Sequence, residues 1–179
     1  IKKVIPTMAI PTIIAQMITI IYNLVDTYFV SSIGTSATAA VGVNHSLEAV
    51  INLAAQLIGM GACSYVARLL GAGDRKRAER VFNTSLFSGA VIGVVILAAG
   101  LATLGGLVDV LGATEECRAY SMQYGQYVLL AAPFMITSMI LNMCLRSEGS
   151  ATYAMIGIGF GGVLNCFLDP LFIYTFNLG

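Results

Sequence analysis

Six stretches of this chain, residues 4–25, 27–47, 49–67, 81–108, 119–145 and 149–168, contain no Asp, Glu, Lys or Arg. No other feature restricts the fold so tightly. About 20 apolar residues in helical form span a bilayer core. A backbone in lipid must satisfy its hydrogen bonds within the segment or in a closed barrel. Barrel strands alternate polar and apolar residues over about ten positions, and these runs do not. Charged residues make up 10% of the 179 residues and hydrophobic ones 58%, where a soluble domain carries about 25% charged. The sequence therefore predicts an all-α, polytopic transmembrane helical bundle.

The runs resolve into five helices, at about 4–31, 37–70, 78–105, 117–144 and 151–176. Pro6 and Pro11 fall near the start of the first, where proline is tolerated. In the SSIGTS link, Gly34 reads as a stop and Ser36 as a candidate N-cap. Eight of the nine basic residues (Lys2, Lys3, Arg68, Arg75, Lys76, Arg77, Arg80 and Arg146) belong to one side of the membrane, and Arg118 to the other. By the positive-inside bias the N-terminus is expected in the cytoplasm, with helices one, three and five running outward. On this reading the loop charges DRKRAER are orientation signals on a solvated turn. The first run is too long for a signal-peptide core and no cleavage site follows it, so no cleavable leader is expected. An odd number of helices, the last ending outside, is expected of a piece of a longer chain. The net charge of zero and the lack of a basic stripe give no reason to expect nucleic acid. The expected surroundings are membrane lipid.

Two acids break the apolar pattern. Asp26 lies inside the first helix, in NLVDTYFVSSIG. A carboxylate at the centre of a membrane helix costs roughly 3 kcal/mol even on the mildest scale, so it is retained for a partner or a function. Asp169 lies in the fifth helix, in GVLNCFLDPLFIY, four residues after Asn165 and hence on its face. Pro170 has no N–H to give to the carbonyl of Cys166. An amide oxygen, a carboxylate and a freed carbonyl suit Na⁺ or a proton relay. With a rise of about 1.5 Å per residue, Asp26 sits roughly 34 Å beyond Lys3 and Asp169 roughly 31 Å beyond Glu148, so the two reach similar depth. Tyr22 and Asn23 lie one turn before Asp26. If the first and fifth helices are neighbours, these residues share one site. The plainer alternative is that each acid only hydrogen-bonds within the bundle, and Tyr22 equally suits an interfacial aromatic.

A further polar pair, His45 and Glu48, lies three residues apart in the second helix. It suits a proton relay, a cavity wall that meets a cationic substrate, or a satisfied polar contact between helices. Met60, Met135, Met139 and Met143 could soften a cavity wall, although methionine at helical spacing is more commonly plain packing. Cys63, Cys117, Cys144 and Cys166 stand singly, without the spacing of a metal site or a disulfide set, and no other cofactor motif is present. Gly157, Gly161 and Gly162 indicate close helix packing. The lone His45 and the scattered cysteines supply no convergent catalytic set, so an enzyme is not expected.

Four segments together, NLVDTYFVSSIGTSATAAVGV, GACSYVARLLGAGDRKRAERV, LRSEGSATYAM and LNCFLDPLFIY, resemble the N-terminal half of MATE (multidrug and toxic compound extrusion) transporters, most nearly the prokaryotic multidrug branch. The resemblance implies helices one to five of a six-helix lobe, within a fold of twelve helices in two pseudo-symmetric lobes. The sixth helix and the second lobe would be the missing partners. It implies a cation or proton site at Asp26, Asn165 and Asp169, with Tyr22 beside it and Na⁺ or H⁺ as the coupling ion. It implies a secondary antiporter of the prokaryotic inner membrane that exports organic, often cationic, drugs and toxins. Two other readings stand beside it: a lipid-linked oligosaccharide flippase of the same superfamily, which would want a basic cavity, and a non-transporting structural membrane subunit.

Overall fold

The computed structural model describes residues 4–171, with the side chains of residues 4–8, 29–33, 36, 37, 169 and 170 excepted. Five helices account for nearly all of it: α1 (Val4–Ile33), α2 (Thr35–Gly71), α3 (Arg75–Val110), α4 (Glu115–Ser147) and α5 (Ala151–Pro170). Each contains a segment long and apolar enough to cross a membrane. The chain is an all-α integral membrane bundle. The part of the fifth helix expected beyond residue 171 lies outside the described residues.

Helix ends follow hydrogen bonding rather than the limits of the apolar runs. The expected start of α3 at residue 78 moves to Arg75, because Asp74 caps it: the Asp74 carboxylate accepts the Arg77 N–H at 3.1 Å. Charged residues populate this first turn, so a search for apolar residues begins too late. Just before it, Gly73 adopts φ +80° and closes α2. The Asp74 N–H reaches the Leu69 carbonyl at 3.0 Å and the Gly73 N–H reaches Leu70 at 3.1 Å, a Schellman closure. At the α1–α2 link the expected N-cap shifts. Ser36 lies inside α2, and it is the Gly34 carbonyl that accepts both the N–H and the hydroxyl of Thr38, each at 3.1 Å. Helix resumes directly after Gly34, which leaves Ser36 no capping position.

The described contacts divide the chain into two units, each considered by itself. The first pairs α1 with α5, residues 1–38 and 149–179 of the chain, and the second comprises residues 39–148, which hold most of α2 together with α3 and α4. In the second unit, Ile51 and Ala55 of α2 meet Ala132, Ile136, Ile140 and Cys144 of α4, with Phe82 and Leu86 of α3 against them. Leu47, Leu104, Val108 and Leu129 form a second cluster. Val66, Leu69 and Ala78 form a third at the α2–α3 corner. α3 approaches α4 closely through glycines, and a Cβ at Gly93 would lie 2.5 Å from the Cα of Pro133. Small residues at such a seam are what allow membrane helices to touch along their backbones. Met135 and Met139 pack against the first cluster, Met60 is exposed, and the Met143 sulfur covers Gly59.

Candidate functional site: the α1–α5 seam

Gly159 and Gly162 of α5 give α1 its seat. The Ile18 side chain lies over both, and the Tyr22 ring lies over Gly162; a Cβ at Gly162 would stand 2.9 Å from the ring and 3.2 Å from Ile18. The contacts advance in the same direction on both helices, so α1 and α5 run parallel. One turn further along lie Asp26 on α1 and Asn165 on α5, with the backbone of α5 continuing to residue 169. The register therefore sets Asp26 level with the Asn165–Asp169 turn. Of the glycines expected to promote close packing, Gly162 is buried under Tyr22, while Gly157 and Gly161 have open space where a Cβ would project.

Asp26 is half-buried, as is Tyr22, whereas Asn23 is exposed and its carbonyl accepts the Thr27 hydroxyl at 2.8 Å. Asn165 is partly buried and its Oδ1 is fully enclosed with no hydrogen-bond partner among the described residues. A buried amide oxygen left without a donor is costly, and a cation or a protonated carboxyl answers that need. The side chain of Asp169 lies outside the described ones, although its backbone continues α5. No group of three or more His, Cys, Asp or Glu with metal-binding geometry occurs among the described residues. An ion here would rest on mixed amide, carboxylate and carbonyl oxygens, the donors that hard cations prefer.

His45 and Glu48 belong to the second unit. The His45 Nδ1 lies 3.6 Å from Glu48 Oε2, and the Tyr124 hydroxyl of α4 donates to Glu48 Oε1 at 3.5 Å, both long contacts. His45 is 82% exposed and Glu48 27%, so the carboxylate is the sheltered member of the pair. Sequence reasoning missed the residue below them. Asn44 is 1% exposed, and its Nδ2 donates to the Ala40 carbonyl at 2.9 Å and across to the Ser121 carbonyl of α4 at 3.1 Å. Among the described residues the buried Asn44 Oδ1 has no hydrogen-bond partner, and the buried Ser121 hydroxyl lies beside the Cys117 thiol. The available signal was an amide in an apolar run, four residues from Glu48.

The MatE family profile matches residues 11–171. The chain belongs to the MatE family. It is 30% identical over 171 residues to the multidrug export protein MepA of Staphylococcus saprophyticus, covering 95% of this chain and 38% of that protein. Among solved structures, an outward-facing multidrug resistance MATE transporter of the MOP superfamily is 34% identical with a TM-score of 0.92, over 98% of this chain and 39% of that one. A MOP superfamily transporter from Pyrococcus furiosus matches with the same identity, 34%, and the same TM-score, 0.92. This MatE chain thus spans about two fifths of the length of the relatives it matches.

Proposed function

We propose that this MatE chain supplies the ion-coupling helices of a secondary antiporter that exports organic, often cationic, drugs in exchange for Na⁺ or H⁺. Supporting the proposal is the parallel α1–α5 contact, in which Tyr22 sits on Gly162 one turn before Asp26, together with the enclosed Asn165 Oδ1, which has no hydrogen-bond partner among the described residues. In this mechanism the ion or proton binds at Asp26 and Asp169, with Asn165 Oδ1 and the Cys166 carbonyl as further oxygens. Binding neutralises carboxylates that are costly to bury. That shifts the balance between outward- and inward-open states, because one state shelters the pair more than the other. Tyr22, seated on Gly162, positions α1 against α5, and Asn23 lies at the edge of the site. Glu48 and His45 line the substrate path as a second polar locus. The N-terminus lies in the cytoplasm, in keeping with the distribution of Lys and Arg. The relatives are named as exporters and transporters, which favours transport over enzymatic chemistry.

The test is made on the full-length protein in liposomes. A Na⁺ gradient or a pH gradient is imposed separately and uphill efflux of a fluorescent cationic dye is followed, for wild type, Asp26→Asn and Asp169→Asn. One gradient is expected to drive efflux, and each substitution to abolish it. Efflux that persists unchanged in both variants removes the carboxylates from coupling.

A further inference from the structure

The α2–α3 corner carries five cations, Arg68, Arg75, Lys76, Arg77 and Arg80, against two acids, Asp74 and Glu79. All seven side chains are exposed. The ion pairs among the described residues are His45–Glu48 and Arg118–Asp109, so none of the five cations has an acidic partner there. Four of these residues, Asp74, Lys76, Arg77 and Arg80, line a concavity of about 340 Å³. The Asp74 carboxylate already accepts the Arg77 N–H, which leaves three cations facing the space with one engaged acid. An orientation signal needs only the charges. It does not need them gathered around a hollow.

A second feature shares this stripe of α3. Positions 76, 80, 83, 87 and 90 recur at intervals of three and four and therefore lie along one face. Phe87 is 73% exposed on that face. At its far end, Ala90 joins Pro133, Phe134, Thr137, Ser138 and Leu141 of α4 around a mainly apolar groove of about 500 Å³. The rise from Arg80 to Ala90 is about 15 Å, about the depth of one leaflet of hydrocarbon. A cationic hollow at a membrane helix end, with an apolar groove one leaflet-depth along the same face, has the dimensions of a phospholipid.

We propose that the α2–α3 corner is a binding site for an anionic phospholipid: the headgroup phosphate lies against Lys76, Arg77 and Arg80, and an acyl chain runs past Phe87 into the groove at Ala90 and Phe134. The site is independent of the ion site in the α1–α5 seam. Basic clusters beside membrane helices attract anionic lipid strongly enough that each cation changes occupancy about fivefold.

The test uses the full-length protein in detergent, with bound lipid counted by native mass spectrometry after exposure to dioleoyl phosphatidylglycerol or dioleoyl phosphatidylcholine. Retention of the anionic lipid is expected to exceed that of the zwitterionic one. Lys76→Gln with Arg80→Gln should reduce it about 25-fold, whereas the charge-matched Arg68→Gln with Arg75→Gln, whose side chains are not among those lining the hollow, should reduce it clearly less. Ala90→Trp, which fills the groove, should lower retention of the dioleoyl lipid but not of a dihexanoyl one. Inorganic phosphate in excess should not displace the lipid. Equal loss in the two charge-matched doubles, no preference for the anionic headgroup, insensitivity to Ala90→Trp, or displacement by phosphate would each overturn the assignment.

Discussion

Gly93→Ala tests a close approach of α3 to the backbone of α4. The added Cβ would stand 2.5 Å from the Cα of Pro133 and 3.1 Å from its N and Cβ. Carbon atoms rest about 3.5–4.0 Å apart, so the new atom is about 1 Å too close to backbone, which cannot swing aside as a side chain could. α3 and α4 must separate locally, and that loosens Ile140 over Gly89 and Leu129 over Gly100, which pack on either side. Overpacking of this kind costs about 1–3 kcal/mol, and the helix preference for Ala over Gly returns about 1 kcal/mol. The net expectation is a loss of about 0–2 kcal/mol. Gly106→Ala on the same helix provides the control, because nothing lies within 4 Å of its Cβ position. There only the helix preference acts, and a gain of about 0.5–1 kcal/mol is expected. Both variants, in the full-length protein, would be followed by equilibrium unfolding in mixed micelles. If Gly93→Ala gains as much as Gly106→Ala, the seam yields without cost and the close-packing account of α3 and α4 is wrong.

Asn44→Ala removes the amide that ties α2 to the Ser121 carbonyl and leaves a cavity, so a loss of about 1–3 kcal/mol is expected by the same unfolding measurement. Ser121→Ala removes a buried hydroxyl beside the Cys117 thiol but leaves the Ser121 carbonyl that Asn44 bonds, so it should cost less than Asn44→Ala. Asp109 and Arg118 form a two-pronged pair, at 2.7 and 3.2 Å, with both side chains about half-exposed. Asp109→Asn should change stability little, and what change there is should shrink as salt is raised from 0.05 to about 0.5 M, since exposed pairs are screened.

The membrane bundle is legible in the sequence because lipid imposes one rule on every residue of a span. The long charge-free runs admit helices and little else. The same rule makes Asp26, Asn165 and Asp169 conspicuous, since each is a polar group where the solvent is hydrocarbon. Partnership between helices is less legible. The Tyr124–Glu48 contact joins residues 76 positions apart, and no local pattern in either helix names the other. Asn44 escaped notice for a related reason: an uncharged amide does not interrupt a charge-free run, so its burial against Ser121 emerges only once α2 and α4 are placed together. Helix limits were displaced where electrostatics, not hydropathy, decides them, as at Asp74. After Gly34 the helix resumes at Thr35, so Ser36 falls inside α2 and cannot cap it.

The pairing of α1 with α5 has a consequence for how the chain is made. Tyr22 and Gly162 are about 140 residues apart, and ribosomes add about 5–20 residues per second. α1 is therefore complete roughly 7–28 s before its seat on α5 exists. Throughout that interval Asp26 resides in the nascent membrane protein without α5 packed against α1. Synthesis order thus sets a demand that the finished structure conceals: α1 must tolerate its own acid alone, protonated, hydrated or held by the insertion machinery, until α5 arrives.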